Sequence, residues 1–183
     1  MKAIILYKSK YGSTKKYAEW LAEALNCPMA ETGTLSPAQL SEYDILVFGG
    51  NIHASKIQGI SWLKKHPALI QKKAIAVFGV GASPYNEKDF TELCERNLGA
   101  DLPGLQSVPC FYLRGTWNEP NMTWPDRKLC GLLKNQVQKK PQDELQGWEA
   151  ALLEAYQGEN NGYFDWMSKD QLVPLINWAE QHF

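Results

Sequence analysis

Ala3-Ile4-Ile5-Leu6-Tyr7-Lys8-Ser9-Lys10-Tyr11-Gly12-Ser13-Thr14-Lys15-Lys16-Tyr17-Ala18-Glu19-Trp20-Leu21 is the stretch on which the fold turns. Ala3–Tyr7 is a short, unbroken apolar run, which predicts a strand covered on both faces. After a polar turn containing Gly12 the period changes. Across Ser13–Leu25, Tyr17, Leu21, Ala24 and Leu25 recur at helical spacing while Lys15, Lys16, Glu19 and Glu23 face water. A buried strand, a tight polar turn and an amphipathic helix make the opening of a βαβ unit.

The same alternation continues to about residue 115. Pro28–Thr32 has the weak pattern of a short second strand. Ser36 and Pro37 mark a helix start, as a cap and a first-turn proline. Tyr43–Gly50 is a third strand centred on Ile45–Phe48. Ile57–Ile70 is mainly helical, ended or kinked at Pro67. Ala74–Val80 is a fourth strand, Asn86–Leu98 a helix and Val108–Leu113 a fifth strand. Strands and helices in this order imply parallel strands, right-handed crossovers and helices on both faces. The expected fold is therefore α/β, a doubly wound five-stranded parallel sheet in one domain spanning 1–183.

The last third departs from that rhythm. Trp117–Pro125 is an aromatic-rich loop, with a lid packed on the end of the sheet preferred over an exposed apolar patch. Asp126–Gln138 places Leu129, Leu132, Leu133 and Val137 on one stripe. Leu145–Tyr156 is another helix, 158–162 a polar turn and Ser168–Phe183 a closing helix. Ser168 and Gln171 have capping-box spacing there, and Pro174 should bend the helix or push its start downstream.

Composition narrows the function classes. The 183 residues are 44% hydrophobic and 21% charged with a net charge of -1, so no global field favours nucleic acid or an anionic membrane. Cys27, Cys94, Cys110 and Cys130 are scattered, and His53, His66 and His182 equally so, which leaves no metal-ligand spacing and suits free thiols in a reducing compartment. No secretory leader or membrane-length apolar run is read, so the expected location is cytoplasmic.

The turn Ser9–Thr14 carries the chemistry. It stands at the carboxyl end of the first strand and opens the first helix, where free backbone N–H groups and the helix dipole favour an anion. Ser9, Ser13 and Thr14 add hydroxyls, and Gly12 permits positive φ or close approach. The spacing Ser-x-x-Gly-x-Thr is neither a P-loop nor the dinucleotide Gly-x-Gly-x-x-Gly. Gly79 and Gly81 begin the latter, but Pro84 stands where its third glycine belongs. The competing account is that Ser13 and Thr14 only cap the helix.

The segment Ile5–Leu21 resembles the flavodoxin signature at its aliphatic pair, Tyr7, Ser9, Gly12, Thr14, Ala18 and Leu21. The resemblance implies a flavodoxin-like three-layer sandwich, with extra helices at the C-terminal end, binding flavin mononucleotide (FMN) at three loops. Ser9, Lys10, Tyr11, Gly12, Ser13 and Thr14 would hold the phosphate. Gly50, Asn51 and Ile52 of the second loop and Gly81, Ala82, Ser83 and Tyr85 of the third would meet the flavin. Asn51 and Ile52 would line the ring and Tyr85 would cover or flank it, while the Gly49–Gly50 pair would allow a peptide rearrangement near the flavin N5.

Two departures stand out: no aromatic lies between Gly49 and Trp62, and the chain is nearly neutral where many flavodoxins are acidic. Leu113-Arg114-Gly115, Trp124-Pro125-Asp126-Arg127 and Asp165-Trp166 resemble a subgroup that includes the menaquinone-dependent protoporphyrinogen oxidases. Arg114 and Arg127 are expected to be structural ion-pair residues rather than contacts to a substrate carboxylate or quinone. The implied function is electron transfer between redox partner proteins, with a quinone-reducing oxidoreductase as the rival. A phospho-receiver is disfavoured, because Leu6-Tyr7-Lys8 ends the first strand without the required carboxylates.

Overall fold

The computed structural model describes residues 1–99, 107–157 and 159–183. The chain runs β1 (Ala3–Lys8), α1 (Ser13–Leu25), β2 (Met29–Glu31), α2 (Pro37–Leu40), β3 (Ile45–His53), β4 (Lys56–Ile57), α3 (Ile60–Lys64), α4 (Pro67–Ile70), β5 (Ala74–Gly81), α5 (Glu87–Leu98), β6 (Cys110–Arg114), β7 (Thr116–Asn118), α6 (Trp124–Val137), α7 (Gly147–Ala155), β8 (Tyr163–Asp165) and α8 (Val173–Glu180). Five strands form a parallel sheet in the order β2-β1-β3-β5-β6. The order reverses beside β1, so a crevice opens at the carboxyl ends of β1 and β3.

Period-two alternation divides the sheet's side chains between two cores. Ile4, Leu6, Leu46, Phe48 and Val77 pack with Leu40, Leu63, Leu93 and Leu98 on one face. Ile5, Val47, Ala76, Phe78 and Val80 pack with Tyr17, Leu21, Leu172, Leu175 and Ala179 on the other. Burying both faces is what makes the strands read as continuous apolar runs. A third cluster of Trp117, Val137, Ala151, Leu152 and Ala155 lies beyond the sheet, beneath the C-terminal elements.

Several boundaries differ from the sequence expectation. The third strand continues three residues past Gly50, because Ile52 and His53 pair antiparallel with Ile57 and Lys56. Ala54 and Ser55 make the turn with φ of 48° and 58°. The expected helix Ile57–Ile70 is two short helices, separated where His66 leaves helical geometry and Pro67 starts α4. At the C-terminus, Pro174 lies in the first turn of α8, so the helix begins downstream of Ser168, as expected. Ser168 does not form a capping box with Gln171. Its Oγ accepts from the Asp170 N–H at 3.2 Å, and Gln171 instead accepts from the Arg114 N–H at 2.6 Å.

The aromatic loop is largely ordered secondary structure. Residues 116–118 pair antiparallel with Tyr163–Asp165 as a ribbon, a 3-10 turn follows, and α6 starts at Trp124. Leu129 and Leu132 of α6 are 56% and 64% exposed, against the expected stripe; only Leu133 and Val137 turn inward. The turn expected at 158–162 begins at Gly158, outside the described residues.

Candidate functional site

The site is a cavity of about 240 Å³ at the carboxyl edge of the sheet. Four segments build its walls: Ser9, Lys10, Tyr11, Ser13 and Thr14 from the β1–α1 turn; Asn51, Ile52 and His53 from the β3–β4 hairpin; Val80, Gly81 and Ala82 from the end of β5; and Gly115, Thr116, Trp117, Met122, Asp126, Leu129 and Cys130 from the C-terminal third.

The β1–α1 turn is shaped for an anion. Gly12 is the N-cap of α1 at φ 99°, a left-handed conformation that disfavours a side chain. No side chain caps the helix, and its first turn holds no acidic residue. The helix-cap account of Ser13 and Thr14 therefore does not hold. Ser13 Oγ is 2.8 Å from Thr116 Oγ1, and Thr14 Oγ1 is buried with no hydrogen-bond partner. Ser9 Oγ accepts from the Gly12 N–H at 3.1 Å, which closes the turn. Uncapped first-turn amides beside a buried, unpaired hydroxyl fit a phosphate, whose oxygens accept from both kinds of donor.

Lys10 and Tyr11 are held by α6. Lys10 Nζ is 2.5 Å from Asp126 Oδ2, and the Tyr11 hydroxyl donates to the same oxygen. The Lys10 ammonium, then the Tyr11 hydroxyl, holds the Asp126 carboxyl down at about 2; the same contact raises Lys10. Asp126 lies in the first turn of α6, so this helix is fastened over the turn.

The hairpin wall depends on Asn97 of α5, buried at 2% exposure. Its Oδ1 accepts from the Ile57 N–H at 2.9 Å, and its Nδ2 donates to Ser55 O at 3.1 Å and Leu93 O at 2.8 Å. Gly50 lies outside the cavity wall. A Cβ there would sit 2.4 Å from the Gln58 carbonyl oxygen, so glycine is needed for the hairpin to fold back on β3. Gly49 and Gly50 are both buried and paired to β1 on one side and β5 on the other. The peptide rearrangement expected of them would have to break a central ladder.

Of the sequence-predicted residues, Ser9, Lys10, Tyr11, Ser13, Thr14, Asn51, Ile52, Gly81 and Ala82 line one cavity, while Gly12, Gly50, Ser83 and Tyr85 do not. Tyr112 explains the last two: its hydroxyl donates to Ser83 O at 2.6 Å, and its ring centroid is 6.1 Å from that of Tyr85. Tyr85 also packs toward Phe90 and is 61% exposed. Arg114 is an ion-pair residue as expected, 2.7 Å from Glu154, with Nε on Ala82 O and its guanidinium over Trp166. Arg127 is structural in another way, donating to the carbonyls of Glu119, Pro120 and Met122.

The walls contributed by His53, Val80, Gly115, Thr116, Asp126, Leu129 and Cys130 were not assigned to the site from sequence, whereas Trp117 and Met122 belong to the loop expected as a lid on the end of the sheet. The motif around Asp126 was visible, but its contact with Lys10 spans 116 residues. Burial pushes the Cys130 thiol up to about 11, and its Sγ lies 3.7 Å from Met122 Sδ. Among the described residues, no group of three or more His, Cys, Asp or Glu could hold a metal ion, and no helix is long and apolar enough to cross a membrane.

A family model described as a flavodoxin domain matches residues 4–145, and the chain belongs to that family. The chain is 25% identical over 153 residues to the serine/threonine-protein kinase tel1 of Emericella nidulans, covering 81% of this chain and 5% of the kinase. It is 39% identical over 57 residues to the uncharacterised protein MJ0298 of Methanocaldococcus jannaschii, covering 31% of this chain and 38% of that protein. The chain thus spans well under half the length of these curated relatives. The structure of oxidised flavodoxin 2 from Bacillus cereus matches with 19% identity, 85% of this chain, 100% of that chain and a TM-score of 0.40.

Proposed function

We propose that this protein binds FMN in the cavity and passes electrons between redox partners. The carrying observation is the uncapped N-terminus of α1, with Lys10 and the unpaired Thr14 hydroxyl beside it, at the point where the strand order reverses. The first-turn amides and the hydroxyls of Ser9 and Thr14 would receive the phosphate. Asn51 and Ile52 on one side, and Gly81 and Ala82 on the other, would flank the rest of the ligand. The flavin ring supplies the redox chemistry when bound; the protein positions it and limits its access to water. Burial pushes the thiol of Cys130 in the cavity wall up, which keeps it protonated and a poor nucleophile.

A second reading has its own support. Trp117, Met122 and Leu129 give the cavity an apolar wall, the feature that an oxidoreductase of the protoporphyrinogen-oxidase type acting on a quinone would use. Turnover of a porphyrinogen with a quinone separates the readings; no turnover at full flavin occupancy sinks the enzyme reading.

The first test is visible absorption of the purified chain on adding FMN and then stepwise reductant. Perturbed flavin bands support the assignment, and unperturbed bands at high FMN refute it. Thr14→Val removes the hydroxyl while keeping the shape. It is expected to weaken FMN binding about 10- to 100-fold, the value of one hydrogen bond to a charged group, without lowering the stability of the ligand-free chain. With Tyr85 away from the cavity and no aromatic in the hairpin, FMN affinity should fall short of sub-nanomolar.

A further inference from the structure

Two buried side-chain atoms, Thr14 Oγ1 and Trp117 Nε1, have no hydrogen-bond partner among the described residues. Both residues line the same cavity. Thr14 belongs to the phosphate turn, but Trp117 lies in the ribbon of β7 and β8, outside the five-stranded sheet. An indole N–H can only donate, and a buried tryptophan usually finds it an acceptor. Here the residue is 8% exposed and its ring packs with Val137, Ala151 and Leu152, so the group cannot turn to water. An unpaired donor so placed is costly, and an acceptor carried by a ligand removes the cost.

The neighbouring contacts point to the kind of acceptor. Thr116 Oγ1 is 2.8 Å from Ser13 Oγ, and a Cβ on Gly115 would lie 3.1 Å from Ser13 Cβ. Gly115 and Thr116, next to Trp117 in the chain, therefore lie against the first turn of α1, the end of the helix that favours negative charge. A phosphate oxygen is the strongest acceptor suited to that place, stronger than a neutral hydroxyl.

We propose that Trp117 is a phosphate-binding residue: its indole N–H donates to a phosphate oxygen of the ligand seated on Ser9–Thr14. This rests on the FMN reading above. The C-terminal ribbon then forms a further wall of the phosphate site, beyond the three loops at the ends of β1, β3 and β5.

The test is a 15N–1H correlation spectrum of the full chain, which has seven tryptophans. Trp117→Phe identifies the indole signal, and contacts to the methyl groups of Val137 and Leu152 assign it even if that variant fails to fold. FMN should move this signal downfield and inorganic phosphate should move it partway, while riboflavin, which lacks the phosphate, should leave it in place. Trp117→Phe should weaken FMN about tenfold and leave riboflavin affinity unchanged. If the Ser13 and Thr14 amides respond to FMN and the indole does not, the proposal is overturned and the FMN reading stands. An equal response to riboflavin also overturns it, placing the indole on another part of the ligand. If no signal responds to FMN, both fall together.

Discussion

Replacing Asn97 by alanine tests whether one side chain holds the hairpin wall. Asn97 lies on α5, but its amide is hydrogen-bonded at the Ile57 N–H and the Ser55 carbonyl, at the far end of the hairpin that carries Asn51–His53. Ile57 is 1% exposed, so its N–H would lose its partner with no water to replace it. A buried donor left unpaired costs about 1–3 kcal/mol, and each ordinary hydrogen bond lost adds about 0.5–1.5 kcal/mol. The expected destabilisation is therefore about 2–4 kcal/mol. At about 2–4 °C per kcal/mol for a chain of this size, the melting temperature should fall by roughly 5–15 °C. Scanning calorimetry and urea titration measure the loss. Amide exchange should show faster opening in residues 51–58 than in β1. A loss below about 0.5 kcal/mol, the range of an ordinary surface substitution, would refute the argument.

Gly50→Ala should displace the hairpin, because the new methyl would meet the Gln58 carbonyl at 2.4 Å and Ile57 Cγ2 at 2.6 Å. A cost of about 1–3 kcal/mol is expected, with weaker FMN binding; unchanged stability and affinity would refute it. Asp126 predicts the acid limb of stability. Its folded pKa is depressed from 3.8 to about 2, so its contribution is complete above the unfolded value and lost as pH falls through about 2. The stability gap between the natural chain and Asp126→Asn should be open and flat between about pH 5 and about pH 9 and should close near pH 2. A gap independent of pH would exclude the ion pair as its source. Lys10, raised by the same contact, gives the alkaline counterpart: its contribution is present below 10.5 and lost as pH rises through the folded value.

The parallel sheet was legible in the sequence for a definite reason. Strands buried on both faces must be continuously apolar, so Ile4–Leu6, Ile45–Phe48 and Ile75–Phe78 announce themselves without knowledge of their neighbours. The turn between β1 and α1 was equally legible, because a strand, a glycine and a helix start lie within a dozen residues and their geometry is local. Two-residue β4 and three-residue β7 and β8 were not, since such short pieces carry no measurable period. Leu129 and Leu132 follow a helical stripe, yet both remain more than half exposed.

What the amino-acid order determined by itself is the βαβ frame and the anion-favouring turn at its edge. What only the tertiary structure decided is the wall from the C-terminal third and the contacts that hold the walls in place. Asp126 on Lys10, Asn97 on Ile57 and Thr116 on Ser13 join residues 116, 40 and 103 positions apart. Tyr85 lies outside the cavity lining, with its ring toward Phe90 and Tyr112. Backbone propensity and hydrophobic period act over a few residues, whereas these partners are chosen by where whole elements dock. The walls of the site therefore appear only once the C-terminal third has folded over the end of the sheet.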